Sequence, residues 1–293
     1  MIRHYHIHEV SEYINWIYFF HAWGFQPRYA SIADIHGCDA CRAMWLVRFP
    51  ENERARASEA MQLHKEAQRM LSELDGKYQT HGVYQLMEAN SEGNDIWIEG
   101  TRMPLLRQQT TRPGEPYLCL SDFIRPASSG ITDKIGLFAT SVDKEMEALY
   151  PDDGYKHMLV QTLADRLAEA TAEKLHESIR KKTWGFALDE HLTIKQMHNE
   201  EFQGIRPAVG YPSLPDQSIN FLLDDLLDMK QIGITLTENG MMQPHASVSG
   251  MIFAHPASRY FSVGKIDEIQ LEDYARRRNL PLETMKKYLS SNL

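Results

Sequence analysis

The sequence is poor in the features that define several protein classes. It has only three cysteines in 293 residues, and so low an odd number excludes a disulfide-stabilised scaffold. Lysine and arginine total 31 against 40 aspartates and glutamates, so the formal charge is −9. That balance is unlike the basic surface of a nucleic-acid-binding protein or a polybasic membrane patch. The most apolar stretch, residues 14–25, is too short to span a bilayer, and the first ten residues lack the apolar core of a signal peptide. We therefore expect a cytoplasmic protein that binds neither nucleic acid nor membrane.

Several catalytic and nucleotide-binding motifs are also missing. There is no glycine-rich GxGxxG turn after a predicted strand and no phosphate-binding GxxxxGK[ST] loop, so neither a Rossmann nucleotide site nor a P-loop is indicated. The sequence contains neither the GxSxG motif of serine hydrolases nor the HExxH motif of zinc peptidases. Function must therefore be sought outside these common sites.

One CxxC pair, Cys38 and Cys41, follows His36. A structural zinc site would need a second pair of ligands, and redox motifs of this spacing usually occur in a βαβ unit, which the sequence does not predict. We therefore predict no metal site. The alternative is a metal-dependent enzyme that uses these three residues with nearby histidines.

The overall composition is typical of a globular domain, with 43% apolar and 24% charged residues. Apolar periodicity and turn signals predict helices at 11–23, 51–75, 155–183, 218–231 and 269–290. Strand-like runs are predicted at 4–8, 82–89, 95–99, 117–123, 134–141, 234–238 and 248–266. Consecutive strands joined by turns indicate antiparallel pairing, and no segment has the composition of a linker. We predict one α+β domain over residues 1–293.

The most unusual segment is the proline-rich loop IRPAVGYPSLPD, residues 205–216. Its prolines lower the entropy cost of holding a ligand. Arg206 offers a planar set of donors for a carboxylate, Gly210 permits close approach to the backbone, and Tyr211 offers a flat apolar face with a polar tip. The segment predicts a clamp for a zwitterionic or anionic small molecule. The alternative is a structural connection with Arg206 in an internal salt bridge.

Three carboxylates share one stripe of the long predicted helix. Asp165, Glu169 and Glu173 are spaced four residues apart, opposite a stripe of leucines. They indicate either a recognition surface for an ammonium, a sulfonium or a metal, or a solvated acidic face.

Several segments resemble the activation domain of cobalamin-dependent methionine synthase. The resemblance is carried by GIRPAVGYPSLPD (204–216), ADRLAEATAEKLHESIRKKTWGF (164–186), LTENGMMQPHASVSGMIFAHPASRYFSVGKI (236–266) and QLEDYARRRNLPLETMKKYL (270–289). YINWIYFFHAWGF at 13–25 also fits, and residues 26–58 form a divergent or inserted segment. The resemblance covers nearly the whole chain.

This resemblance implies a C-shaped single α+β domain, a twisted antiparallel sheet flanked by helices without a Rossmann fold. The implied function is to bind S-adenosylmethionine and support reductive methylation of cob(II)alamin. The cobalamin would belong to a separate cobalamin-binding domain or protein, the electron would come from a flavodoxin-like donor, and this chain would supply no catalytic residue of its own. Whether it acts as a free-standing protein or as part of a longer one is left open.

The resemblance also implies ligand-binding residues. Arg206 would bind the methionyl carboxylate, the backbone of Ala208 and the side chain of Tyr211 would line the ligand, and Gly210 would lie beside them. Glu169 would face the methionyl ammonium, and Tyr260 would lie near the adenosine. A zwitterion needs a guanidinium at one end and a carboxylate at the other, so these implied roles fit the residue types.

Asp165 and Pro207 would support the site. The family reads YIDW where this chain has Asn15, so a ligand-binding aspartate is replaced by a neutral amide. The family also often has a histidine where this chain has Gln217, which cannot titrate. These two replacements favour an alternative function, a non-catalytic S-adenosylmethionine sensor or scaffold related to the activation domain.

Overall fold

A computed structural model describes residues 1–35 and 38–293, built around one antiparallel sheet. Five strands lie in the order β4-β3-β2-β5-β8, and β1 pairs with the first part of β2. A separate two-stranded hairpin is formed by β6 and β7. The strands are β1 (Ile2–His6), β2 (Gln79–Glu92), β3 (Asp95–Ile98), β4 (Thr101–Pro104), β5 (Asp133–Val142), β6 (Thr235–Leu236), β7 (Met242–Gln243) and β8 (Ser247–Ile252).

The helices flank this sheet, as expected for an α+β fold without a Rossmann unit. They are α1 (Ile7–Ser11), α2 (Trp16–Ala22), α3 (Asp39–Leu46), α4 (Arg54–Leu74), α5 (Gly154–Ser178), α6 (Ile194–His198), α7 (Ile219–Leu227), α8 (Glu268–Arg278) and α9 (Leu282–Tyr288). Apolar residues of α2, α4 and α5 form one core with Tyr84 and Phe138 of the sheet, and α7 contributes to a second core.

Helix α5 packs directly on the two central strands and carries part of the site described below. It begins at Asp153, whose side chain accepts a hydrogen bond from the Lys156 amide. Gly82 on β2 lets the helix approach closely, since a Cβ there would lie 3.3 Å from a methyl of Leu175. The hydroxyl of Thr140 on β5 donates to the carbonyl of Ala168 at 3.0 Å. These contacts fix the height and rotation of α5 against the sheet.

Some predicted elements are wrong in extent or type. Residues 117–123 are not a strand, because the Asp122 carboxylate accepts hydrogen bonds from the Cys119 amide and the Arg107 guanidinium and folds the segment into a 3-10 turn. Of the predicted strand 248–266, only β8 and the adjoining Phe253, which forms a bridge with Ile205, are paired. Helix α2 begins at Asn15, not at Ser11. Helix α3 lies in the divergent segment 26–58, at positions for which the sequence predicts no helix or strand.

The structure also bears on membrane association. Among the residues it describes, no helix combines the length and the apolarity needed to cross a bilayer.

We predict that the protein loses stability as the pH falls below neutral, because His64 on α4 is held neutral. Its ring packs edge-on against Trp16, with 4.5 Å between the centroids, and burial together with the charge of Arg42 lowers the pKa of His64 to about 4. The unfolded chain, with an ordinary histidine pKa near 6.5, therefore binds a proton that the folded chain rejects. The contribution of neutral His64 to the unfolding free energy is complete above pH 6.5 and is lost as the pH falls toward 4. The full loss amounts to about 3 kcal/mol.

Urea denaturation at pH 7.5 and 4.5 checks this expectation. The His64→Gln variant should lose a smaller part of its unfolding free energy between the two pH values than the wild type. A remaining dependence is expected from His176, a buried histidine whose pKa burial also lowers. An identical pH dependence in wild type and variant would contradict the assignment to His64.

Candidate functional site

A cavity of about 500 Å³ lies where the start of α2, the middle of α5 and the proline-rich loop meet. It combines aromatic rings with three glutamates and two arginines. Its lining residues are Tyr13, Asn15, Tyr18, Arg166, Glu169, Ala170, Glu173, Met197, His198, Glu200, Phe202, Arg206, Pro207, Ala208, Tyr211, Pro212, Ser213, Tyr260 and Phe261. Cavities of this size accommodate ligands of a few hundred daltons.

The first half of the proline-rich loop runs beside the edge strand β8. The Ile205 amide donates to the Phe253 carbonyl at 3.0 Å, the Met251 amide to the Pro207 carbonyl at 3.1 Å, and the Val209 amide to the Ser249 carbonyl at 2.9 Å. The loop therefore has the rigidity of a sheet edge. In this pairing the Ala208 amide donates no hydrogen bond to a described residue, and Ala208 lines the cavity.

Arg206 is both buried and directed into the cavity. Only 9% of the residue is exposed, and its backbone amide donates to the Tyr260 hydroxyl at 2.9 Å. One terminal nitrogen of its guanidinium forms a short ion pair with Glu173, and the group lies 5.6 Å from the centroid of the Phe138 ring. Its buried Nε has no partner among the described residues. The internal salt bridge considered from sequence is therefore present, and it places the guanidinium at the cavity wall.

The electrostatics of this wall follow from burial and from the two glutamates of α5. Burial alone would lower the pKa of Arg206, but the charges of Glu173 and Glu169 raise it above its usual value, so the guanidinium is permanently charged. Burial raises the pKa of Tyr260 to about 12, which keeps its hydroxyl protonated at neutral pH. Three acidic and two basic side chains thus line the cavity, an arrangement that suits a zwitterion with an additional positive charge.

A tight turn positions Tyr211 over the cavity. Gly210 has a φ of +87°, which favours glycine, and its amide donates to the Leu214 carbonyl at 2.8 Å. The turn brings the Tyr211 hydroxyl to Glu169, to which it donates at 2.6 Å, while half of Tyr211 stays exposed. Gly210 itself does not line the cavity. Its contribution is the shape of the turn.

Asn15 lines the opposite side of the cavity as the N-cap of α2. Its side-chain oxygen accepts a hydrogen bond from the Ile17 amide at 3.1 Å. The oxygen already accepts one hydrogen bond, and the NH₂ group, which donates to no described residue, can contact a ligand. A carboxylate at this position would cap the helix with one oxygen and retain a second, charged oxygen for the cavity.

The predicted site residues are brought together with two exceptions. Asn15, Glu169, Arg206, Pro207, Ala208, Tyr211 and Tyr260 all line the cavity, whereas Gly210 and Asp165 do not. Asp165 lies one helical turn away, where burial raises its pKa and the nearby ionisable groups include Arg166, His245 and Glu147. It shares the stripe but not the cavity.

No sequence motif marks the segment 197–202, which closes another side of the cavity. His198 donates a ring N–H to the Tyr13 carbonyl at 3.0 Å and so ties this segment to the chain just before α2. Phe202 is buried beneath the cavity, and Glu200 adds an exposed carboxylate. Their contribution depends on packing between distant segments, which no local pattern reports.

The alternative metal site would use His36, which lies outside the described residues. Within residues 1–35 and 38–293, no group of three His, Cys, Asp or Glu side chains is arranged to hold a metal ion. Cys38 and Cys41 are exposed at the start of α3, whereas Cys119 is buried.

Two comparisons with known proteins bear on this fold and cavity. The family described as vitamin B12 dependent methionine synthase, activation domain, matches residues 6–279. A crystal structure of the MetH reactivation domain bound to AdoHcy matches at 36% sequence identity with a TM-score of 0.85, covering 100% of this chain and 90% of that chain. These findings confirm the resemblance and the antiparallel α+β fold expected from it. The chain belongs to the activation-domain family of vitamin B12-dependent methionine synthases.

Proposed function

We propose that this chain binds S-adenosylmethionine in the cavity and acts as a reactivation module for a cobalamin-dependent methionine synthase. The observation that carries the proposal is the pairing of Arg206 with Glu173 and of Tyr211 with Glu169 on one cavity wall. The related MetH reactivation domain was crystallised with AdoHcy, which is S-adenosylmethionine without its transferable methyl group. Both observations support a site for this sulfonium compound.

Each end of the ligand has a counterpart in the cavity. The guanidinium of Arg206 and the unused amide of Ala208 would bind the methionyl carboxylate, and Glu169 would bind the ammonium. S-adenosylmethionine carries one net positive charge, which matches the excess of one acidic side chain in the cavity. Tyr260 would lie near the adenosine, and Tyr211 would cover the ligand from the solvent side. Gly210 and Asp165 would act indirectly, through the turn and through the charge of α5.

The chemistry requires a partner that this chain does not contain. When bound to a separate cobalamin domain and reduced by a flavodoxin-like donor, cobalamin would supply the nucleophile for the methyl group. The residues of this chain would hold and orient the sulfonium and exclude water, and none would act as nucleophile. Such positioning lowers a barrier by several kcal/mol. From the composition we expect this activity in the cytoplasm.

Calorimetric titration of the intact chain with S-adenosylmethionine and with AdoHcy tests the binding step. We expect saturable binding of both at one site, and remethylation when reductant and a cobalamin domain are added. Absence of binding of either compound at millimolar concentration, with and without the cobalamin domain, would exclude the proposal.

A second candidate is a sensor or scaffold that binds the same ligand without supporting methyl transfer. Asn15 favours it, because the neutral amide offers the ligand no negative charge. Retained binding without remethylation of any cobalamin domain supplied would select this candidate.

We predict that Asn15→Asp tightens S-adenosylmethionine binding by about tenfold. The carboxylate keeps one oxygen for the Ile17 amide and offers the second to the cationic ligand, and charge-assisted hydrogen bonds are about twice as strong as neutral ones. Titration of both proteins at two salt concentrations measures the effect, which should shrink at high salt. Asn15→Ser, which retains a capping oxygen without the charge, is the control. An affinity equal in wild type and Asn15→Asp would contradict a ligand contact at this position.

A further inference from the structure

Cys38 and Cys41 lie outside the cavity and play no part in the function proposed above. Both are exposed at the start of α3, and their sulfurs are 3.3 Å apart. The Cys41 amide donates to the Cys38 carbonyl at 3.1 Å, which fixes the separation of the two residues along the helix. A disulfide needs its sulfurs at about 2.05 Å, so the two sulfurs must approach by a little over 1 Å to form one.

The two thiols differ in the way that thiol–disulfide exchange requires. Cys38 occupies the N-cap of α3, and the Cys41 amide and thiol lower the pKa of Cys38. The same contact raises the pKa of Cys41. Cys38 is thus the attacking sulfur, and Cys41 is placed to resolve a mixed disulfide. Cys119 is fully buried, which raises the pKa of its thiol and withholds it from solution.

The described residues around the pair, which do not include His36, provide no metal site. In the part of the chain that the structure describes, no third His, Cys, Asp or Glu side chain joins the pair in a ligand set. The neighbouring Asp39 is fully exposed and is paired with Arg42. Two thiolates alone do not complete the tetrahedral environment of a structural zinc ion.

We propose that Cys38 and Cys41 form a thiol–disulfide exchange site that reacts with low-molecular-weight disulfides such as glutathione disulfide. The Cys38 thiolate attacks one sulfur of the disulfide, forms a mixed disulfide and releases one thiolate. Cys41 loses its proton to solvent and attacks the Cys38 sulfur, forming the Cys38–Cys41 bond and releasing the second thiol. The protein pair loses two electrons and two protons, and the small disulfide gains both.

Mass spectrometry of the intact chain in glutathione buffers tests this proposal. With glutathione disulfide we expect the loss of two hydrogen atoms and one disulfide mapped to Cys38 and Cys41, reversed by excess reduced glutathione. Cys41→Ser should retain one glutathione on Cys38, and Cys119→Ser should behave as the wild type. At pH 7, alkylation of Cys38 should be several-fold faster than that of Cys41.

Three results would overturn it. Separate glutathione adducts on both cysteines of the wild type would show two independent surface thiols. Thiols that remain reduced under every glutathione ratio would show that the pair cannot close. Stoichiometric zinc in the purified chain that blocks oxidation would show a metal site instead.

Discussion

Replacing Arg206 with alanine is expected to weaken the binding of S-adenosylmethionine and AdoHcy by at least about thirtyfold. The guanidinium is the one cationic group aimed into the cavity from the paired part of the loop, and truncating a buried charge partner costs about 2–5 kcal/mol of binding free energy. The same change should lower the unfolding free energy by about 3 kcal/mol, because it leaves the Glu173 carboxylate without its partner. Calorimetry and urea denaturation measure the two effects.

A pair of further variants separates the two effects. Glu173→Gln keeps an acceptor for Arg206 while removing the buried charge. In the Arg206→Ala, Glu173→Gln double variant the stability should recover in part, since no unpaired carboxylate remains, whereas binding should stay lost. Wild-type affinity in Arg206→Ala would refute the assigned role, and a double variant no more stable than Arg206→Ala would refute the electrostatic explanation of the stability loss.

The sequence predicts the chemistry of the site better than its geometry. An arginine at the start of a proline-rich loop and carboxylates at four-residue spacing are local patterns, and both point to cavity residues. The helical repeat alone does not show which turn of α5 meets the loop. Glu169 and Glu173 lie at the crossing, whereas Asp165 lies one turn before it, near Glu147 and His245.

Other features of the fold and of the site depend on contacts between distant parts of the chain. The β-forming residues at 117–123 predict a strand, but the tertiary contact between Arg107 and Asp122 competes successfully with strand formation. Likewise, His198 and Phe202 enter the cavity wall through packing against Tyr13 and α5, which periodicity does not report. Their importance follows from the fold and not from any motif.

Gly250→Ala is expected to be strongly damaging, although it adds only one methyl group. A Cβ on this residue of β8 would lie 2.2 Å from the Pro207 carbonyl oxygen and 2.9 Å from both the Ala208 Cα and the Phe138 ring. Two of these neighbours are backbone atoms that hydrogen bonds hold in place, so the clash is relieved only by moving the loop away from β8. We expect a loss of about 3 kcal/mol in unfolding free energy, from the overpacking and the broken pairing.

Because the displaced segment carries Arg206 and Ala208, Gly250→Ala should also weaken S-adenosylmethionine binding under conditions where the variant is still folded. Gly154→Ala is the matched control, since a Cβ at this first residue of α5 meets nothing within 4 Å. That change should leave affinity unchanged and stability within about 1 kcal/mol, with a tendency to stabilise. Wild-type stability and affinity in Gly250→Ala would mean that the loop does not pack on β8 in solution. The rigidity that we attribute to the ligand-binding loop would then be refuted.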